Sequence, residues 1–176
     1  LLPELKRMIH HEIALAKAGR QGRIILKMNA LQDLTMIDEL YKASEAGVKI
    51  DLIVRGICCL VPGESFSSNI RVTRIVDSFL EHARVWYFGN DGDPRLFIGS
   101  DWMRRNLYRR IEAVTPVLDK SLKQELIDML DMQLRANWKA CWVDKELKNI
   151  FKRTPDEPKV RAQYDFYQYL YKKNIE

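Results

Sequence analysis

The chain has 176 residues, 47% hydrophobic and 30% charged, which describes an ordinary globular sequence that can bury a core. Its 3 cysteines argue against an extracellular disulfide framework, and no apolar run reaches the roughly 18 to 20 residues that cross a bilayer. Lysine and arginine number 29 against 24 acidic residues, a formal charge of +5 that favours anionic partners without choosing among them. We expect a cytoplasmic protein, with peripheral membrane association left open.

The first part of the chain alternates helical patterns with short apolar runs. Apolar residues recur at helical spacing from residue 3 to about 17, and residues 34–46 also read as a helix, closed by a glycine. The runs at 23–29 and 48–54 are continuous, which is typical of strands covered on both faces. A helix between two such strands predicts a right-handed parallel crossover, and the strand ends of such units favour ligand sites.

The middle of the chain is less regular. Residues 61–69 are rich in Ser, Gly and Pro and predict a loop. Residues 70–80 predict a short strand that passes into a helix. Two further strands, at 83–88 and 96–99, flank a turn that contains Asn, Gly and Pro, so we expect them to form a hairpin.

The last predicted elements are a strand over residues 107–117, a strong helix from 120 to about 136, where the core is expected to end, and an aromatic helix near Val160. Trp138, Trp142 and the late tyrosines could stack on bases. Without a clamp motif or an aromatic-rich strand beside them, packing in the core is the favoured interpretation.

The chain has no Gly-rich phosphate loop, no H-E-x-x-H and no zinc-like cysteine spacing, so any phosphate binding must depend on side chains. His82 and Arg84 stand two residues apart at the start of a predicted strand, and so on one face. Imidazole exchanges protons near neutral pH and guanidinium neutralises phosphoryl oxygens, which suits phosphoryl transfer. A structural role for this histidine stays open.

Other arginines carry two interpretations each. Arg55, at the end of the second crossover strand, can hold a phosphate bidentately or pair with an acidic neighbour. A second group can line an anion groove or form a solvated face: Arg104, Arg105, Arg109 and Arg110.

Long phrases in one order carry a resemblance to a known family. They include Leu26-Lys27-Met28-Asn29, Val54-Arg55-Gly56, Phe79-Leu80-Glu81-His82-Ala83-Arg84, Tyr87-Phe88-Gly89-Asn90, Gly99-Ser100-Asp101-Trp102-Met103 and Arg105-Asn106. These phrases resemble the C-terminal catalytic domain of bacterial polyphosphate kinase of the phosphohistidine type. The resemblance covers nearly the whole chain, and phrases of this length and order make a chance match improbable.

The resemblance implies a fold and an activity. The fold is α/β, a phospholipase D-like mixed sheet flanked by helices, with residues 1–142 as the catalytic domain and 143–176 as a C-terminal helical extension. The activity is reversible transfer of the ATP γ-phosphate to inorganic polyphosphate, through a phosphohistidine that lies in a missing preceding domain. We therefore expect this chain to supply supporting residues and to be inactive alone.

The resemblance also implies site residues, which are the residues of this chain that match the family phrases. Arg55 matches a nucleotide-phosphate-binding arginine, and His82 matches the second active-site histidine, a general acid or base that also contacts the phosphates. Four further residues lie in matching phrases and are inferred to bind ATP or phosphate: Lys27, Asn29, Arg105 and Asn106.

The resemblance also implies partners. Magnesium is expected to arrive with ATP, bound by ligands outside this chain. ATP or ADP, polyphosphate and the remaining domains of the same enzyme are the expected partners, in a homo-oligomer at full length and without nucleic acid.

Two departures from the family pattern bear on the alternatives. The superfamily pattern His-x-Lys followed by Asp becomes His82-x-Arg84 with Gly89 at the aspartate's place, which weakens a phospholipase or nuclease interpretation. An alanine usual in the family is absent between Ser100 and Asp101. A basic nucleic-acid-binding module and a phospholipase D-like phosphodiesterase, in which a dimer supplies two histidines, remain as alternatives.

Overall fold

An eight-stranded mixed sheet organises the chain in the computed structural model, which describes residues 1–173. The strands stand in the order β6-β5-β4-β1-β2-β3-β7-β8. Neighbours among β1, β2 and β3 are parallel, and the other pairs are antiparallel. The strand bounds are β1 Arg23–Met28, β2 Lys49–Val54, β3 Ile70–Ile75, β4 Val85–Phe88, β5 Arg95–Ile98, β6 Thr115–Val117, β7 Ala140–Val143 and β8 Asn149–Phe151.

Helices cover both faces of this sheet. Asp33 and Asp119 cap the second and fourth helices, because their carboxylates accept backbone N–H bonds of the first turn at 2.9–3.1 Å. The helix bounds are α1 Leu2–Lys17, α2 Leu34–Glu45, α3 Arg104–Arg109, α4 Lys120–Arg135 and α5 Ala162–Lys173. Single 3-10 turns occur at Ser65–Ser67 and Asn90–Gly92.

Alternation along the central strands divides the core in two. Leu26 of β1 is buried in one cluster with residues of α1 and α2 such as Leu5 and Leu40. Ile25, its neighbour, points to the other face and packs with Met129 and Leu130 of α4. Both faces of β1 and β2 are therefore covered, which explains why their sequences are continuous apolar runs.

Most predicted elements are confirmed. The crossover from β1 through α2 to β2 is parallel, and β4 with β5 forms the expected antiparallel hairpin. The helices predicted at either end and after residue 120 are α1, α5 and α4. The open sheet with helices on both faces confirms the predicted fold class, and α5 is the expected C-terminal helix.

The helix predicted within residues 70–80 is wrong. The strand is present as β3, but residues 76–84 form neither helix nor strand. Gln163 of α5 donates to the Phe79 carbonyl oxygen and accepts from the Phe79 backbone N–H, both at 2.8 Å. A side chain distant in sequence therefore satisfies backbone groups that a helix would have used, which local periodicity could not reveal.

The strand predicted over residues 107–117 is also wrong. α3 occupies the chain through Arg109, and only β6 pairs, with β5. Asn106 Nδ2 donates to Glu112 Oε1 at 2.6 Å, which holds the segment that leaves α3 against the helix. An apolar alternation in the sequence thus spans a helix, a bend and a short edge strand.

The prediction that the core ends near residue 136 is wrong. β7 pairs with β3 and β8 pairs with β7, and Val143 belongs to the core cluster under α1 and α2. These strands were missed because each is short. The division of the chain at residue 142 stays a prediction. None of the helices in the described part of the chain is long and apolar enough to cross a membrane.

Candidate active site

One edge of the sheet gathers four of the six predicted site residues. The carboxyl ends of β1, β2 and β3 lie there, together with the start of β4, because Lys27 of β1 stands opposite Val85 of β4. We call it the carboxyl edge and define it by Lys27, Asn29, Arg55 and His82, which lie at or just beyond these strand ends.

Arg55 is fixed at the carboxyl edge by its neighbour Asn29. Its Nε donates to Asn29 Oδ1 at 3.0 Å, and the backbone N–H of Gly56 donates to the Asn29 carbonyl oxygen at 2.8 Å. Arg74 holds the same turn, with Nη2 donating to the Gly56 carbonyl oxygen at 2.7 Å. Arg55 forms no ion pair within residues 1–173, so the acidic neighbour considered for it is absent from the described structure.

Hydrogen-bond donors of Asn29 and Arg55 lack acceptors among the described residues. Asn29 is 8% exposed, and its Nδ2 has no hydrogen-bond partner among the described residues. The terminal guanidinium nitrogens of Arg55 likewise have no acceptor in that part of the chain. A buried amide donor and a guanidinium fork, joined by one hydrogen bond, form a group that can bind phosphate oxygens.

Lys27 lies in a buried polar network rather than at the surface. It is 6% exposed, and its Nζ donates to Glu81 Oε2 at 2.5 Å. Gln133 of α4 donates to the same oxygen at 2.6 Å, and Gln163 of α5 donates to Glu81 Oε1 at 3.1 Å. The phosphate-binding role of Lys27 stays a prediction, while its contacts anchor the residue that precedes His82.

His82 is exposed, and its imidazole makes no hydrogen bond within residues 1–173. Its carbonyl oxygen accepts from Arg84 Nη1 at 2.6 Å. The expectation that His82 and Arg84 share one face of a strand is wrong, because β4 begins only at Val85. The imidazole is therefore free to approach a ligand, and it stands next to the anchored Glu81.

Asp101 connects three parts of the carboxyl edge. Its Oδ1 accepts from the backbone N–H groups of Asn29 at 2.7 Å and Ala30 at 3.1 Å, and its Oδ2 accepts from Arg84 Nη2 at 3.0 Å. Burial would raise the pKa of this carboxyl, but the bonds from Arg84 and the two backbone amides hold its pKa below the usual value. Sequence reasoning included Asp101 in a family phrase without giving it a role.

The hairpin exit that carries Asp101 is closely packed. A Cβ on Gly99 would collide with the ring of Trp86, which is fully buried. Only glycine therefore lets the chain pass Trp86 and deliver Asp101 to the start of the loop after β1. The missing alanine before Asp101 leaves these three hydrogen bonds intact.

We expect Asp101→Asn to lower the free energy of unfolding by about 1–3 kcal/mol at pH 7, because a neutral amide cannot accept all these bonds. A lowered carboxyl pKa contributes stability that is full above about pH 4, the ordinary aspartate value, and is lost as pH falls through the folded-state pKa. The difference in free energy of unfolding between wild type and Asp101→Asn, measured by urea unfolding, should be constant from pH 7 to 5 and shrink below pH 4. Asp93→Asn, at an exposed position, is the control. A pH-independent difference would contradict the argument.

The remaining two predicted residues lie on α3. Arg105 is exposed, whereas Asn106 is 7% exposed and its Oδ1 has no partner among the described residues. No hydrogen bond joins either of them to Arg55 or His82 in that part of the chain. All four clustered arginines, at positions 104, 105, 109 and 110, are exposed, as a solvated face requires.

The described residues offer no metal centre of their own. Nowhere in residues 1–173 do three His, Cys, Asp or Glu side chains converge in a way that could hold an ion. Asp101, the acidic group nearest Asn29, already accepts hydrogen bonds from two amides and a guanidinium. Its donor surroundings suit a carboxylate held by hydrogen bonds and do not fit a magnesium ligand.

The class of fold is that of the phospholipase D family. The chain superposes on the phospholipase D family member Nuc from Salmonella typhimurium and on NucT from Helicobacter pylori, each with a TM-score of 0.50 and 12% identity, over 70% and 76% of this chain and 84% and 91% of those chains. At that identity the likeness concerns the fold alone.

Sequence matches place the chain in a family that is narrower than this class of fold. Residues 2–163 match the family described as polyphosphate kinase C-terminal domain 2, and the chain belongs to it. Polyphosphate kinases of Vibrio cholerae and Escherichia coli are 48% and 45% identical over 98% and 94% of this chain. The crystal structure of polyphosphate kinase from Porphyromonas gingivalis matches with a TM-score of 0.96 and 55% identity over 98% of the chain. The chain spans 24–27% of the length of these relatives.

Proposed function

We propose that this chain is the C-terminal catalytic part of an ATP:polyphosphate phosphotransferase and binds the phosphates of the nucleotide and the polymer. The observation that carries the proposal is the fixed guanidinium of Arg55 beside the unpartnered Nδ2 of buried Asn29. The free imidazole of His82 lies on the same edge of the sheet. Phosphate-binding donors next to a proton-exchanging group are what phosphoryl transfer needs.

The proposed reaction has two steps. The γ-phosphoryl group of ATP passes to a histidine of a preceding domain and ADP leaves; a terminal oxygen of polyphosphate then takes the phosphoryl group and the histidine is released. Arg55 and Asn29 would bind phosphate oxygens and stabilise the charge that develops on them. His82 would act as general acid or base, exchanging a proton with a phosphate oxygen that attacks or leaves.

Several partners belong to the same proposal. Magnesium would enter with the nucleotide and neutralise its phosphates, held by ligands outside this chain. The chain would act beside the remaining domains of the enzyme, in the cytoplasm, and form a homo-oligomer at full length. Arg105 and Asn106 are proposed to bind phosphate only once those domains are present, since neither is bonded to the Arg55 group here.

The alternatives have weaker support. A phosphodiesterase of the phospholipase D type would need a basic partner free beside its histidine, but the Arg84 guanidinium is bound to Asp101. Diester hydrolysis by the isolated chain, lost in His82→Ala, would favour that function. A nucleic-acid module rests on net charge and the exposed arginines. Sequence-specific binding that Arg55→Ala and His82→Ala leave unchanged would support it.

The proposal is tested by supplying γ-labelled ATP and magnesium to the chain alone and to the chain joined to the preceding domains of a polyphosphate kinase. We expect labelled polymer and acid-labile phosphohistidine only in the joined protein, because the acceptor histidine is outside this chain. Label on the isolated chain would make His82 a candidate acceptor and overturn the proposed division of roles.

Arg55→Ala in the joined protein should weaken ATP binding by about 10- to 100-fold, as expected for loss of hydrogen bonds to a charged group. The measurement is a titration of the joined protein with ATP without magnesium, so that binding is measured and not turnover. Arg55→Lys keeps the charge but loses the planar fork, so its ATP affinity should lie between those of wild type and Arg55→Ala. Arg95→Ala, which removes an exposed arginine from the opposite edge, is the matched control. Equal loss in both alanine variants would indicate net charge rather than a site.

A further inference from the structure

A basic cavity lies on the carboxyl edge, beyond β3. It has a volume of about 500 Å³ and lies between the residues before β7 and those after β8, among them Trp138, Arg153 and Phe151. We call it the Trp138 cavity. The Val76 backbone N–H donates to the Lys139 carbonyl oxygen at 3.3 Å, which places the start of β7 beside the end of β3.

The Trp138 cavity therefore lies on the same edge of the sheet as Arg55. The sheet order β2-β3-β7 puts two strand spacings between the end of β2 and the start of β7, roughly 10 Å at the usual separation of neighbouring strands. Segment 76–84 connects the end of β3 to the start of β4 across this edge, and Arg161 and Gln163 hold it there through Asp77 and Phe79. A linear ligand bound at Arg55 would have to pass over the chain that leaves β3 at Val76 to reach the cavity, a span of a few phosphate units at this strand spacing.

The wall of the cavity is held by a dense set of hydrogen bonds. Asn137 donates through Nδ2 to the Pro158 carbonyl oxygen and accepts through Oδ1 from the Val160 N–H, both at 2.8 Å. The Trp138 N–H donates to the Val160 carbonyl oxygen at 3.0 Å. The loop between β8 and α5 is thus folded against Trp138 before any ligand arrives, which lowers the entropic cost of binding.

The charges at the cavity lack counterions. Arg153 and exposed Lys139 line the cavity, and Arg153 Cζ lies 5.3 Å from the centroid of the Trp138 ring. Lys159 is outside the lining, but its Nζ lies 3.9 Å from the same centroid. These three cations form no ion pair within residues 1–173. The carboxylate of Glu157 is engaged by the Thr154 N–H at 3.1 Å, and Asp156 is exposed in the same loop.

The tryptophan ring orients Arg153 and Lys159. An ammonium over an indole face is held by the ring quadrupole, which fixes the position of Lys159 without neutralising it. That face of Trp138 is then covered and closed to base stacking. The earlier expectation that Trp138 packs in the core needs correction, since it is half-buried under cations.

We propose that the Trp138 cavity is a second anion subsite, which holds phosphates of a polyphosphate chain distant from the transferred group. The inference rests on the proposed function, because it takes polyphosphate as the polymer at Arg55. Arg153 and Lys159 supply positive charge to phosphate units that have passed along the carboxyl edge. The three phosphates of ATP end at the transfer site and do not need this subsite.

The test compares binding of long-chain polyphosphate, tripolyphosphate and single-stranded DNA to the full chain. The variant is Arg153→Gln with Lys159→Gln, which removes two charges and leaves a shorter, neutral polar side chain at each position. The matched control is Lys145→Gln with Lys148→Gln, two exposed lysines in the turn at the other end of the β7–β8 hairpin. Thermal unfolding of both variants checks that they are folded, and Arg55→Ala is measured beside them.

We expect the first variant to bind long-chain polyphosphate at least about tenfold more weakly at low salt, with a salt slope smaller by about two. Tripolyphosphate binding and the control variant should stay as wild type. Wild-type affinity of the first variant for the long chain would overturn the subsite, while weakening by Arg55→Ala would leave the proposed function standing. If neither variant changes polyphosphate binding, both fail. An equal loss for DNA would replace the polyphosphate subsite with a nucleic-acid surface.

Discussion

His82→Ala, in the chain joined to the preceding domains, is expected to reduce polyphosphate synthesis by about 10²- to 10⁴-fold, the usual contribution of a general acid or base. The imidazole is exposed and makes no hydrogen bond within residues 1–173, so its loss should not change the thermal midpoint of unfolding. This variant is therefore expected to lose activity while it keeps its stability. Polymer formation from labelled ATP and a thermal melt are the two measurements.

The control for His82 is another exposed histidine. His11 of α1 shares a hydrogen bond with Asn90 Oδ1 at 2.8 Å and lies at the far end of β4 from His82. His11→Ala should leave synthesis within about twofold, because surface changes away from a site are usually small. If His82→Ala kept wild-type turnover, the assignment of a proton-transfer role would be wrong. A loss of activity that followed a lowered unfolding midpoint would point to a structural histidine instead.

The sequence predicted the central elements because their signals are local. The apolar runs of β1 and β2, the apolar periodicity of α2 and α4 and the turn before β5 each depend on neighbouring residues, and each element is where it was expected. The elements it missed depend on distant partners. Segment 76–84 is held by Gln163, and β7 exists because β3 offers it an edge.

The same contrast between local signals and distant partners applies to the candidate site. Arg55 and His82 could be singled out, since an arginine and a histidine near predicted strand ends suggest phosphate chemistry. Asp101 could not be given a role, because its partners are the backbone of Asn29 and the side chain of Arg84, far away in sequence. Lys27 was given one interpretation from its phrase, whereas its contacts with Glu81 offer another.

Glu81→Ala tests whether the contact between Lys27 and Glu81 stabilises the fold. The substitution leaves the Lys27 ammonium, whose side chain is 7% exposed, without its carboxylate, and it also removes the acceptor for two glutamine amides. We expect the free energy of unfolding to fall by about 3–5 kcal/mol, as is usual when one partner of a buried ion pair is removed. Urea unfolding of the full chain measures it.

The double variant Lys27→Met with Glu81→Leu is the decisive companion. It removes both charges together, and replacing a buried pair by apolar side chains is often neutral, so most of the lost stability should return. If Lys27 only anchors the segment before His82, the double variant joined to the preceding domains should bind ATP as wild type does. If Lys27 binds phosphate, as its family phrase implies, ATP binding should fall as in Arg55→Ala even though the fold is stable. Since the ammonium is paired with Glu81 and has little exposure, we expect the first result.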